Sequence, residues 1–295
     1  MTRAPTHNKT SPHWLVPLGA LALLSAVSVV LLVCGFESTT GRTVAWVPWT
    51  DTLTSRVSGR DGNATRTAIG FVIMTSKATR ELFLAQKRTW LRDADRNTTA
   101  VWAFSDAYDP LSFDTYTLPS LYGKGGTWTD AQHHQLRGMQ WLQRTHRVPE
   151  AIRWLMLIDD DTWVNRPMLE HFVSRLDPAL PMLCGHEHVV NHVFNGGAGL
   201  LLSRPAFDAI ASRLYTKTCP FRGTNDDTVT ACARTVPGLV RMHSARFAFY
   251  PPRIESPVDF LEQITIHPVK DADLMRAMTR TTSAFYAASQ PTGGM

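Results

Sequence analysis

The sequence predicts an α/β domain, a parallel-type sheet wound with helices, set behind an amino-terminal membrane-spanning segment. Three observations predict it. Apolar runs of strand length alternate with amphipathic stretches between Ala68 and Leu176, the signature of a sheet built by crossover helices. The strongest run, Trp154-Leu155-Met156-Leu157-Ile158, drives directly into Asp159-Asp160-Asp161. Leu15 to Gly35 carries no charged residue and is long enough to cross a bilayer as a helix.

The elements justify themselves in order. Ala68 to Thr75 is a continuous apolar run ending in a hydroxyl, as expected of a buried strand. Thr79 to Leu91 places Leu82, Phe83, Ala85 and Trp90 on one side of a helix, with Thr79 as its candidate cap. Ala100 to Phe104 is a second strand, closed by Ser105-Asp106. After a loop containing Gly123, Gly125 and Gly126, Thr129 to Gln143 has helical periodicity. The acidic strand follows, and then a helix over Pro167 to Leu176 with proline in its first turn. Asn195-Gly196-Gly197-Ala198-Gly199 precedes a short apolar strand at Leu200 to Ser203. Asp226 and Asp227 stand where a further helix would begin, a place that favours negative charge; Asp226 suits a cap. The Thr-, Ser- and Ala-rich segment 279–295 has the composition of a disordered tail.

The chain has 295 residues, 44% of them hydrophobic, and a formal charge of +5. Its basic residues are scattered, so nucleic-acid binding is not favoured. Arg3 and Lys9 precede the apolar segment, which puts a short tail (1–14) in the cytoplasm and the remainder outside it. Residues 36–66 then form a stem rich in Thr, Ser, Arg and Gly, and 67–278 the main domain. Sequons at Asn63 and Asn97 acquire meaning only on that topology. Of four cysteines, Cys34 lies in the apolar segment. Cys219 and Cys232 bracket the Asp226-Asp227 pair and could close a loop around it, with Cys184 either odd or a partner.

Three adjacent carboxylates repel one another, so a cation or a shared proton is needed at Asp159-Asp160-Asp161. Hard divalent ions bridge such carboxylates to substrate phosphates, and ligands of open α/β sheets gather beyond the carboxyl ends of the strands. Glycines at 196, 197 and 199 allow backbone approaches that a Cβ would block. His186, His188 and His192 lack the spacing of a zinc helix, and His243 and His267 stand alone.

Taken in order, these stretches resemble the Fringe-like β-1,3-glycosyltransferases (glycosyltransferase family 31), core 1 enzymes included. The matching pieces are Thr89-Trp90, Phe104-Ser105-Asp106, Ile158 to Asn165, Asn195 to Gly199 through Ser203-Arg204-Pro205, Asn225-Asp226-Asp227, His243-Ser244 and Glu262 to His267. Asn225-Asp226 departs from the Fringe pattern at the acid pair, and Ala245 replaces a second histidine. The cysteine bracket is closer to core 1 enzymes.

The resemblance implies a GT-A-type, Rossmann-like mixed sheet, a UDP-sugar donor, Mn²⁺ (or Mg²⁺) and inversion at the anomeric carbon. It implies Asp161 as metal ligand together with His243 or His267. Asp159, Asp160, Thr75, Asp106, Gly196 and Gly197 would face the nucleotide sugar, and Asp227 would act as base. The acceptor would be a glycan or glycoprotein, and the product a β-1,3 linkage. A single-pass type II protein of the Golgi or ER membrane is expected, with a homodimer as the candidate assembly. Two readings compete: an inactive lumenal glycan-binding protein of the same fold, against which retention of Asp159, Asp161 and Asp227 counts, and a metal-dependent phosphoesterase, which lacks a second acid-histidine cluster.

Overall fold

The computed structural model describes residues 68–92, 98–106, 115–117, 128–250 and 259–289. The expected anchor (15–35), the stem (36–66), the sequons at Asn63 and Asn97 and the glycine loop 123–126 lie outside the described residues. No helix among the described residues is long and apolar enough to cross a membrane.

The first half alternates as predicted: β1 (Ala68–Met74), α1 (Arg80–Arg88), β2 (Thr99–Ser105), β3 (Thr115–Thr117), α2 (Trp128–Arg144) and β4 (Ile152–Asp159). Next come β5 (Trp163–Val164), α3 (Arg166–Val173), β6 (Met182–Gly185), β7 (Leu200–Ser203) and α4 (Arg204–Ala211). The described chain continues with α5 (Asn225–Ala233), β8 (Val240–His243), β9 (Phe247–Ala248), β10 (Thr265–Ile266) and α6 (Ala272–Ala288). Among the described residues, seven strands form one sheet in the order β3-β2-β1-β4-β7-β6-β8. Strands β3, β2, β1 and β4 run parallel, whereas β7 is antiparallel to both β4 and β6. The sheet is therefore mixed. A second, three-stranded sheet has the order β5-β10-β9.

Side chains alternate across a strand, and the two faces of β1 and β4 meet different cores. Ile69, Phe71, Ile73, Trp154, Met156 and Ile158 pack with α1, α3, α6 and the small sheet. Val72, Leu155 and Leu157 pack with α2, α4 and α5. Burial on both faces explains why these strands read as unbroken apolar runs rather than alternating ones.

Helix α2 carries polar side chains in its buried stripe. Gln135 donates from Nε2 to the carbonyls of Val72 and Ile158, each at 3.1 Å, and its Oε1 accepts from Asn225 Nδ2. Gln132 Oε1 accepts the Asn225 N–H at 2.9 Å. These bonds fix the start of α5 against the two central parallel strands. Changing Gln135 to Leu keeps the volume but leaves buried polar groups unpaired, which costs about 2 kcal/mol. Urea unfolding of Gln135→Leu is expected to show a lower midpoint at unchanged slope; an unaltered midpoint would dismiss this role.

Helix α6 corrects the expectation of disorder from residue 279. Asp271 caps it, accepting from the N–H groups of Asp273 and Leu274, and Met275, Met278 and Thr282 are buried along one face. Trp163 Nε1 donates to Thr279 Oγ1 at 3.1 Å. Small side chains hid an i, i+3, i+7 stripe that continues the core. Cys219 and Cys232, 13 residues apart, form a disulfide, and Cys184 is a buried free thiol.

Candidate functional site

Strand β4 ends at the carboxyl edge of the sheet, and its exit is held by neighbours on both sides. The Asp160 N–H bonds the Met74 carbonyl at 3.0 Å, closing the turn onto the end of β1. Gln86 Nε2, from α1, donates to the carbonyls of Asp159 and Thr162, each at 2.9 Å. The Asp161 carbonyl accepts the Val269 N–H at 2.7 Å. A turn pinned in this way presents Asp159 and Asp161 to one side and Asp160 to another.

Asp159 and Asp161 meet His267, which follows β10. One ligand atom from each of the three lies within 4.8 Å of the other two. His267 Nε2 is 3.1 Å from Asp161 Oδ1 and 3.7 Å from Asp159 Oδ2. Asp159, expected to face the nucleotide, thus joins Asp161 at the candidate metal group. Asp160 turns away, its Oδ2 accepting from the Thr75 hydroxyl at 2.7 Å. Asp106, at the end of β2, accepts the Lys77 N–H at 2.7 Å and so fixes the loop between β1 and α1. Thr75, Asp106 and Asp160 therefore share the end of the sheet around β1 and β2.

His243 does not belong to the metal group. Its Nδ1 accepts the Glu187 N–H at 3.0 Å, and its ring faces His186 at 5.3 Å between centroids. The candidate group therefore includes His267 and not His243: β8 lies at the far edge of the main sheet, whereas β10 pairs with β5 beside the acidic turn.

The glycine loop closes the site from the side of β7. Thr162 Oγ1 donates to the Gly197 carbonyl at 2.9 Å, and Thr265 Oγ1 to the Ala198 carbonyl at 2.5 Å. Gly197 lies flat on the His267 imidazole: a Cβ there would come within 2.3 Å of Cε1. Gly199 has φ +96°, which favours glycine. The Gly196 N–H bonds Asp226 Oδ2 at 3.2 Å, joining the loop to the first turn of α5.

That turn is capped by Thr224 rather than by Asp226; its side chain accepts from the Asp227 N–H. Asp226 is engaged on three sides, by Gly196, by the Thr224 hydroxyl and by the Asp227 N–H. The Asp227 carboxylate is met by the Thr224 hydroxyl at 3.0 Å, and it is only partly buried.

Burial pushes Asp159 up to about 7; the charge of His267 opposes this, while Asp161, Asp160 and Asp226 add to it. Burial likewise raises Asp160 to about 6, against the hydrogen bonds it receives from Thr79 and Thr75. For His267, burial acts downward, but the hydrogen bond to Asp161 and the charges of Asp161 and Asp159 prevail, and the net shift is upward. Asp159 Oδ1 and His267 Nδ1 are buried with no hydrogen-bond partner. Two carboxylates and an imidazole brought this close, with a buried Asp159 oxygen and a buried His267 nitrogen lacking partners, suit a hard or borderline divalent cation such as Mn²⁺ or Mg²⁺.

A pH dependence follows from these shifts. The folded pKa of Asp159 stands above its ordinary 3.8, so without metal the charged carboxylate weakens the fold progressively as pH rises between the two values. A bound cation removes that penalty and needs both Asp159 and His267 deprotonated. The rise in melting temperature on adding Mn²⁺ is therefore expected to grow from about pH 5.5 to about pH 7.5. An increment independent of pH would contradict a site at these residues.

A family model described as Fringe-like matches residues 71–268, more than half of the chain. The chain belongs to the Fringe-like family of glycosyltransferases. A human β-1,3-glucosyltransferase is similar to the Fringe-like chain at 28% identity over 142 residues, covering 42% of this chain. The chain spans 28% of that relative's length. Among solved structures, a glycosyltransferase involved in glycosylating the major capsid of PBCV-1 has a TM-score of 0.44 at 13% identity, covering 72% of this chain and 99% of its own. The Streptococcus pneumoniae glycosyltransferase GlyE has a TM-score of 0.44 at 10% identity, covering 78% and 66%.

The Fringe-like domain also contains positioning residues that the motifs did not include. Gln86, Gln132 and Gln135 hold the acidic turn and the start of α5. Their signal was available: Gln132 and Gln135 share the helical phase of Met139 and Leu142. A polar side chain in a core stripe needs a partner.

Proposed function

We propose that this Fringe-like protein is an inverting, divalent-metal-dependent glycosyltransferase that moves a sugar from a UDP-sugar to a hydroxyl of a glycan or glycoprotein, forming a β-1,3 linkage. The observation that carries the proposal is the convergence of Asp159, Asp161 and His267 beneath the Gly196-Gly197 loop. Mn²⁺, or Mg²⁺, would be held by these three side chains, and when bound it supplies positive charge to the departing diphosphate.

The chain's own groups divide the remaining work. Thr75, Asp106 and Asp160, which follow β1, β2 and β4, would face the uridine and ribose, where strand ends of α/β sheets meet ligands. The backbone of Gly196 and Gly197, packed against Asp226 and His267, would face the donor sugar. Asp227 would take the proton of the acceptor hydroxyl as it attacks, and Asp226 holds the Gly196 amide in place.

The Cys219–Cys232 bond supports an oxidising compartment. It thereby supports the type II reading of segment 15–35, with the domain in the lumen of the Golgi or ER. A homodimer remains the proposed assembly.

The test measures UDP release from a panel of UDP-sugars with simple glycosides, with Mn²⁺, with chelator and in Asp161→Ala. Metal-dependent release with one donor, abolished in the variant, is the expected result. Absence of both UDP-sugar binding and release in the presence of metal defeats the assignment. Binding without turnover on any acceptor favours a glycan-binding protein instead.

A further inference from the structure

The candidate metal group cannot by itself balance the charge of a diphosphate. A divalent cation between the ionised carboxylates of Asp159 and Asp161 leaves no net charge there, and Asp160 and Asp226 lie near enough to act electrostatically on Asp159. In the transfer proposed above, the bond from the anomeric carbon to the diphosphate oxygen breaks with its electron pair on that oxygen. The acceptor oxygen bonds the carbon, and its proton passes to Asp227. Negative charge thus gathers on a diphosphate beside a cluster of acids, where a further cation lowers the barrier.

One segment carries a lysine to this place. Beyond β10 the chain is tied down twice: the His267 N–H bonds the Ala248 carbonyl at 3.0 Å, and the Val269 N–H bonds the Asp161 carbonyl at 2.7 Å. Val269 is buried. The next residue, Lys270, is exposed, one position along from a hydrogen bond to a candidate metal ligand. Its charge reaches the group. Burial acts downward on His267, Asp161 and Asp159 act upward, and Lys270 acts downward again. Among the described residues no hydrogen bond or ion pair engages its ammonium. The acids that follow are committed elsewhere, Asp271 to the N–H groups of Asp273 and Leu274, and Asp273 to Arg276. Nor is Lys270 placed for stability: it immediately precedes the cap of α6, and the amino end of a helix favours negative charge. A flexible stem ending in a compact ammonium suits a phosphate as a point charge.

We propose that Lys270 binds the diphosphate of the nucleotide donor beside Asp159, Asp161 and His267, and meets the negative charge that develops there as the diphosphate departs. This assignment rests on the transferase reading and deepens it by adding a residue outside the acidic and glycine motifs. Lys270→Ala separates its role from that of the metal group by sign. Taking a cation from beside two carboxylates favours Mn²⁺ binding in the absence of nucleotide, yet disfavours the binding of a diphosphate. Damage to the segment His267 to Lys270 would instead weaken both.

Calorimetry on the full chain measures the affinity for Mn²⁺ alone, then for UDP and for inorganic diphosphate at saturating Mn²⁺; saturation-transfer NMR follows uridine. Lys270→Ala is expected to bind UDP and inorganic diphosphate about tenfold more weakly than the wild type. It should bind Mn²⁺ at least as tightly and leave the uridine signal unchanged. Lys270→Arg, which keeps the charge, is expected to recover most of the lost affinity. Wild-type UDP affinity in Lys270→Ala, or a parallel loss of Mn²⁺ and UDP affinity, overturns the assignment and leaves the transferase reading standing. A wild type that holds inorganic diphosphate through Lys270, but neither binds UDP nor releases it from any donor, keeps the lysine site and overturns the transferase reading. A wild type that binds neither UDP nor inorganic diphosphate overturns both.

Discussion

Gly197→Ala is expected to abolish metal-dependent UDP release while leaving the domain folded. Gly197 needs no special backbone angle; the constraint is contact. A Cβ at this position would lie 2.3 Å from His267 Cε1 and 2.6 Å from both Nδ1 and Nε2, far inside any carbon–carbon contact. The ring has nowhere to retreat. Its backbone is tied to Ala248, Phe249 stacks on it, and Nε2 is already 3.1 Å from Asp161. The loop cannot yield easily either, since Thr162 and Thr265 hold the Gly197 and Ala198 carbonyls. The imidazole must tilt away from Asp161. Displacing groups that orient a ligand typically costs 10- to 100-fold in metal affinity, so a loss of roughly 100-fold or more is expected here, where the ligand itself moves. Mn²⁺ titration followed by electron paramagnetic resonance measures it, with urea unfolding run alongside. Wild-type Mn²⁺ affinity in Gly197→Ala would remove His267 from the metal group.

Asp227→Asn is expected to lower the transfer rate by about 10²- to 10⁴-fold, the range for loss of a general base. Mn²⁺ and donor binding should be unchanged. The neighbouring acid serves as the control. Asp226 has both carboxylate oxygens committed to the Gly196 amide, the Thr224 hydroxyl and the Asp227 amide. It is a fastener, tying the glycine loop to the first turn of α5. Asp226→Asn should therefore act on donor binding through the glycine loop more than on the chemical step. Pre-steady-state transfer rates at saturating donor separate the two. A larger loss of rate in Asp226→Asn than in Asp227→Asn would exchange their roles.

Much of this site was legible because its parts are contiguous in the chain. Asp159 to Asp161 follow an apolar run whose length and burial leave no other end for them, and the Gly196-Gly197 loop abuts an equally plain strand. What the chain could not declare was pairing. A four-residue apolar run such as Leu200–Ser203 reads the same whether it lies parallel or antiparallel to β4, so the mixed sheet came only through family resemblance. Likewise His243 ends one short strand and His267 follows another. Only the choice of neighbour, β6 for one and β5 with β9 for the other, brings the second to the acids. Helix α6 was missed because its buried stripe consists of two methionines and a threonine among alanines, serines and threonines, a pattern with little contrast. The glutamines went unread because a polar residue in a helical stripe reveals its purpose only once the carbonyls it meets are in place.

The reversal of direction between β4 and β7 bears on how such a domain can diversify. Parallel neighbours must be joined by a crossover long enough to climb back along the sheet, and a change in its length disturbs the layer it packs in. Strands β6 and β7 are antiparallel and hydrogen-bonded to each other, so the segment between them returns on itself and is anchored at both ends. Its tip, Val189 to His192, can lengthen, shorten or change composition while Gly185 and Leu200 stay in register. The structure thus separates a tightly constrained half, where carboxylates and glycines tolerate almost no displacement, from an adjustable hairpin at its border. Grafting hairpins of other lengths between Glu187 and Phe194 is the natural route to altering which molecules the same catalytic frame accepts.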